Sequence, residues 1–86
     1  MILITELTPQ HDSRKSFSGK AHIIEEENGK RYLQSYATKV AVYDPATEKI
    51  SVFQTHSATT LRHIKEFIYQ ITGEVLTKGE LETKYM

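Results

Sequence analysis

The sequence predicts an α+β fold: a small antiparallel β-sheet of three to four strands in meander order, with one C-terminal α-helix packed on one face. Two observations carry this expectation. Asn28-Gly29 stands between two runs of strand-forming residues, the dipeptide that a two-residue hairpin turn favours. Further on, Leu61, Ile64, Ile68 and Ile71 recur at the 3.6-residue period of a helix with one apolar face.

Taken in order, residues 1–19 read as partly loop. "ILITEL", residues 2–7, suits a short strand, and "TPQHDSRKSFSG" is polar and broken by Pro9 and Gly19. Residues 20–55 form the sheet. With Asn28 and Gly29 at the tip of a type I′ turn, Glu27 pairs with Lys30, Glu26 with Arg31, Ile24 with Leu33 and His22 with Ser35. The second arm runs from Arg31 to Tyr43, either as one strand or as two divided by a bend or bulge near Ala37. "DPATEK" makes a turn, with Asp44 and Pro45 in its favoured first positions, and "ISVFQT" returns as the next strand. The helix covers 58–72, with Phe67 widening its stripe and Gly73 placed to end it. The tail, 74–86, is expected to be a short strand or loose turn anchored by Val75, Leu76 and Leu81. The 86 residues suit one domain, 1–86.

Composition narrows the function. Eleven Lys and Arg balance eleven Asp and Glu, so no global field draws the chain to nucleic acid or anionic membrane. The chain has no cysteine, which removes disulfides, thiolate metal sites and thiol catalysis. "MILITELTPQ" has no basic segment before its apolar residues, and no run approaches the roughly 20 apolar residues of a membrane span. The cytoplasm is the expected setting.

Two segments concentrate polar donors. "SATTLRHIKEF" begins with Ser57, Thr59 and Thr60, followed by Arg62 and His63. One hydroxyl is needed as the helix N-cap. The remaining donors, with Arg62 and His63, suit an anion at the helix N-terminus, although Arg62 can instead pair with Glu66. "SRKSFSGK" holds Arg14, Lys15 and Lys20 among hydroxyls that include Ser16, a set suited to phosphate contacts. Phe17 either stacks on a base or plugs the sheet edge. Tyr32 and Tyr36 fall on one face of the long arm, as packing residues or as an exposed aromatic strip. His11, His22, His56 and His63 lack the spacing of a zinc site, and Ser57, His63 and Asp44 compose a catalytic triad only on paper. No catalytic residue, metal or cofactor is expected. A loop entering the first hairpin strand and a loop entering the helix can open at the same end of the sheet, so the two segments are expected to form one surface.

Three segments together, "DSRKSFSGKA" (Asp12 to Ala21), "LQSYATKVA" (Leu33 to Ala41) and "SATTLRHIKEF" (Ser57 to Phe67), resemble a family of small proteins of unknown function carried by phages, plasmids and other mobile elements of Firmicutes. The family usually has an aromatic where this chain has Ser18, and a shorter turn in place of "DPATEK". The resemblance brings no catalytic or binding residue with it. It implies an accessory protein that acts by binding.

Two functions compete. In the first, a non-catalytic binding protein takes nucleic acid or phosphate through Arg14, Lys15, Ser16, Lys20, Ser57, Thr59, Thr60, Arg62 and His63. In the second, the chain is a protein-interaction module, either a host-factor antagonist or a regulator that pairs with itself through an edge strand. Balanced charge favours the second and local clustering the first. Neither involves a membrane.

Overall fold

Each strand pairs with its neighbour in the chain. The computed structural model describes residues 2–10, 12, 16, 17, 19–55 and 57–86. Among these, the elements are β1 (Leu3–Glu6), β2 (Ala21–Glu25), β3 (Arg31–Ser35), β4 (Thr38–Asp44), β5 (Lys49–Val52), α1 (Ala58–Thr72) and α2 (Lys78–Tyr85). The strands form one antiparallel sheet in the order β1-β2-β3-β4-β5. The fold is α+β, with five strands where three to four were expected and two helices where one was expected. None of the helices among the described residues is long and apolar enough to cross a membrane.

The first hairpin has a different register from the type I′ expectation. Ile23 faces Leu33, Ile24 faces Tyr32 and Glu25 faces Arg31. The cause is the turn. Gly29 has φ +87°, whereas Asn28 is not among the positive-φ residues. Gly29 N–H donates to Glu26 C=O (2.9 Å), and Glu26 N–H donates to Lys30 C=O (3.0 Å). This is a three-residue loop, a turn followed by a left-handed glycine, which shifts the pairing by one residue. A one-residue shift moves every opposing side chain to the other face. It therefore sets Ile23, rather than Ile24, on the face that Leu33 presents to the helix.

The long arm is divided near Ala37, by a full reversal. Ser35 pairs with Thr38, so Tyr36 and Ala37 are the whole turn. Tyr36 has φ +57°, the left-handed backbone that the first central residue of a tight hairpin adopts. In β4 the register shifts between Leu33 and Gln34 of its partner strand. The bulge lets Val40 and Ala41 both be buried although they are adjacent in sequence.

The two sheet faces now differ. One row, Thr5, Ile23, Leu33, Ala41 and Val52, crosses all five strands on the face that α1 packs against. The opposite row is Ile4, Ile24, Tyr32, Val42 and Ser51. The core lies on the first face, where Ala21, Leu33, Ala41, Ile50 and Val52 meet Ile64, Phe67 and Ile68 of α1. Leu7, Phe17 and Leu81 complete it.

Helix α1 has the expected bounds, and Ser57 caps it by accepting from Thr60 N–H (3.0 Å). Gly73, at φ +78°, closes it by donating its N–H to Tyr69 C=O (2.8 Å).

The tail is a helix, not a strand or turn. Thr77 and Glu80 form a capping box, each side chain accepting from the other's backbone N–H. Leu81 buries the inner side of this helix, and Thr55 Oγ1 donates to Glu82 Oε2 (2.6 Å) to tie α2 to the chain after β5. Lys84 Nζ and the Tyr85 hydroxyl both donate to the Glu74 carboxylate. The Lys84 hydrogen bond, then that of Tyr85, holds Glu74 below the ordinary carboxylate pKa. Glu80 is lowered as well, by the Thr77 backbone and hydroxyl. A carboxylate whose folded pKa is depressed stabilises the fold above its unfolded pKa, and this is lost as the pH falls through the folded value. The melting temperature is therefore expected to fall with acidification below the ordinary carboxylate range, about pH 4.3. A Glu74→Gln/Glu80→Gln variant should have a flatter profile there, read by far-UV circular dichroism.

Candidate interaction surfaces

The two polar segments come together. Asp12, in the loop before β2, donates its N–H to Glu66 Oε1 of α1 (2.8 Å), and its carboxylate lies 3.4 Å from the Arg62 guanidinium. Phe17 packs edge-on against the His63 ring, with centroids 4.6 Å apart. Thr8, Asp12 and Phe17, between β1 and β2, thus lie along α1 from Arg62 to Gln70.

The groups at that junction mostly face one another. Ser57 is occupied as the N-cap. Ser35 Oγ lies 3.1 Å from Thr60 Oγ1 and 2.8 Å from His63 Nδ1. Ser35 has one proton and two lone pairs, so it can donate to Nδ1 while accepting from the Thr60 hydroxyl. All three side chains are buried, as is Glu66, which accepts from Asp12 N–H and from Gln70 Nε2 (2.8 Å). A serine bonded to a histidine is the start of a nucleophile–base pair. Here Ser35 is 2% exposed and His63 1%, so as packed no substrate carbonyl reaches the hydroxyl. The paper triad is not assembled either. Ser57 accepts from Thr60, His63 meets Ser35, and Asp44 Oδ1 accepts from Ala46 N–H (3.0 Å).

The other predicted binding residues that the structure describes are Arg62, Thr59, Ser16 and Lys20. Arg62 is exposed beside Asp12, rather than paired with Glu66. Thr59 is half-buried, and Ser16 and Lys20 are exposed. The Lys20 ammonium sits 5.6 Å from the centroid of the exposed Tyr36 ring. Phe17 is a core residue, so its ring has no open face for a base. Tyr32 and Tyr36 do not form one strip. Tyr32 lies on the helix-free face under the Lys39 ammonium (4.4 Å), and Tyr36 lies at the β3–β4 turn near His63. Arg14, Lys15, His11, His56, Ser13 and Ser18 lie outside the described residues. Among the described residues no group of three or more His, Asp or Glu is placed to hold a metal ion.

A second surface lies along β1. Ile2, Leu3 and Ile4 are 61%, 56% and 62% exposed. Three consecutive exposed aliphatic residues on an edge strand are a liability unless something binds there. Leu7 N–H donates to Ala21 C=O (2.9 Å), in register with the β1–β2 ladder. Antiparallel bonding alternates, so Leu3 and Thr5 bond inward to β2, while Ile4 and Glu6 turn their N–H and C=O outward. A short strand is expected over 2–7, and Leu3–Glu6 forms it. Its place at the sheet edge was visible only once the pairing order was known.

No curated protein and no solved structure matches the chain. One family model does, over residues 5–83, nearly the whole sequence. The chain therefore belongs to the family of unknown function DUF8033.

Proposed function

We propose that this chain is a non-catalytic binding module whose ligand is another polypeptide, taken up along the β1 edge. The observation that carries the reading is the run Ile2-Leu3-Ile4, exposed on a strand whose outer backbone groups face away from the sheet. An added strand satisfies those groups and covers the aliphatic side chains. Charge supports a protein ligand over a polyanion. The formal net charge is zero, and the Asp12 carboxylate already pairs with Arg62, the cation an anion beside α1 would need. The resemblance of the three sequence segments supports an accessory protein of a phage or other mobile element, with a host protein as one source of the partner strand.

Phosphate of nucleic acid is the second reading. It draws on the exposed Lys20, Tyr36 and Arg62 around the loop before β2. One pair of variants separates the two. Capture of a partner polypeptide by the tagged chain is expected to be lost in Ile4→Lys and kept in Lys20→Ala/Arg62→Ala. Labelled DNA and RNA, followed by fluorescence anisotropy at low salt, are expected not to bind saturably. Saturable, salt-sensitive binding that Lys20→Ala/Arg62→Ala abolishes and Ile4→Lys preserves would replace the polypeptide reading with the phosphate one.

A further inference from the structure

We infer that the strand taken up at the β1 edge is that of a second copy of this chain, pairing β1 with β1 across a two-fold axis at Ile4. The inference rests on the edge-strand reading above. In this arrangement Ile4 faces Ile4 of the second copy, Leu3 faces Thr5, and Ile2 faces Glu6.

Three features select a second copy. The first is hydrogen bonding. Ile4 turns its N–H and C=O outward, and two such residues opposite each other exchange both bonds. A two-fold interface is self-complementary, so one residue meets the need on both sides. The second is continuity. Ile4 ends the helix-free row that runs through Ile24, Tyr32 and Val42. Placing Ile4 against its own copy extends that row from one sheet into the other, giving aliphatic neighbours to a side chain now 62% exposed.

The third feature is charge. Residues 2–5 carry none, so no like charges face each other at the centre. The nearest acid, Glu6, lies two residues from the axis. The two copies of Glu6 are thus about 13 Å apart along the strands, beyond the roughly 8 Å screening length at physiological salt. The other edge discourages an open chain of copies. β5 begins with Lys49 next to Glu48 and is contacted by α2, so pairing closes at two.

A pairing of one short strand is smaller than the roughly 1,200–2,000 Å² of a stable interface, so the dimer is concentration-dependent. Sedimentation velocity of the full chain, over about 5–500 µM, spans the weak affinities such small interfaces give. The wild type is expected to move from monomer to dimer within that range. Ile4→Pro should remain monomeric throughout, because it removes the outward N–H at the axis. It leaves the β1–β2 ladder intact, since an edge strand tolerates proline where its N–H faces solvent. Its far-UV spectrum and melting temperature should match the wild type. Ile4→Lys, which keeps the N–H but sets two ammonium groups face to face, should also stay monomeric and guards against a folding defect in the proline variant.

A wild type that stays monomeric at the highest concentration overturns the inference, as does dimerisation of both variants at wild-type strength. Partner capture sensitive to Ile4→Lys, with a monomeric wild type, would leave the edge-strand reading standing with a different polypeptide. Capture insensitive to that variant would remove both.

Discussion

Replacing Leu33 with alanine is expected to destabilise the protein by about 3–5 kcal/mol, the range for emptying a fully buried leucine site. Leu33 has no exposed surface, lies between Ile23 and Ala41 in the sheet, and belongs to the cluster that α1 closes. A domain of this length has a total stability of roughly 4–13 kcal/mol. The substitution would therefore remove a large share of it. At about 4–8 °C per kcal/mol for domains of this size, the melting temperature should fall by at least about 12 °C. Urea titration followed by circular dichroism reads the loss directly. Val42→Ala, on the helix-free face, is the comparison. Val42 is half-buried with no helix above it, so a loss of about 1 kcal/mol is expected, typical of a point substitution outside the core. A larger loss at Val42 than at Leu33 would show that the faces had been assigned the wrong way round.

Ser35→Ala is the second large effect, because it leaves two buried groups without their shared partner. Thr60 Oγ1 and His63 Nδ1 both lie within hydrogen-bond distance of Ser35 Oγ. Each buried polar group left unsatisfied costs about 1–3 kcal/mol, so a loss of about 2–6 kcal/mol is expected, large for so small a truncation. Thr60→Val keeps the shape and removes the other hydroxyl. The double variant Ser35→Ala/Thr60→Val should lose less than the sum of the single ones, since replacing both partners leaves fewer orphans. A coupling energy above about 0.5 kcal/mol would identify the pair as interacting. Strict additivity would mean that the hydroxyls are not bonded in solution.

These residues also show what the sequence could disclose. α1 was legible because everything that specifies it is local: Ser57 before it, Gly73 after it, and an apolar stripe between. α2 had its signal in plain view, Thr77 followed three residues later by Glu80. Gly79 inside the helix and Leu81 as its one buried residue kept the apolar period too weak to read. The hairpin register depended on whether one residue or two at the tip adopt positive φ. Asn28-Gly29 permits either, and the choice is settled by which face must lie under α1, a contact more than thirty residues away.

The site divides along the same line. Ser57 as N-cap is a local matter and could be read from the sequence. Ser35 and His63 are 28 residues apart on different elements, and no spacing rule connects them. Thr60 and His63 could be read as available donors only because their partner was out of sight. The exposed edge of β1 was equally hidden, since an edge is defined by strand order and not by composition.

The meander order has a consequence for the newly made chain. Each strand can find its partner as soon as the next one has left the ribosome, across loops that are mostly short, and local pairing of this kind forms quickly. The cover for the sheet comes later. Leu33, Ala41 and Val52 are synthesised before Ile64, Phe67 and Ile68, so a nascent chain that has completed β5 has apolar strand residues with no cover. For the time needed to make α1, this is the species on which chaperones and aggregation compete.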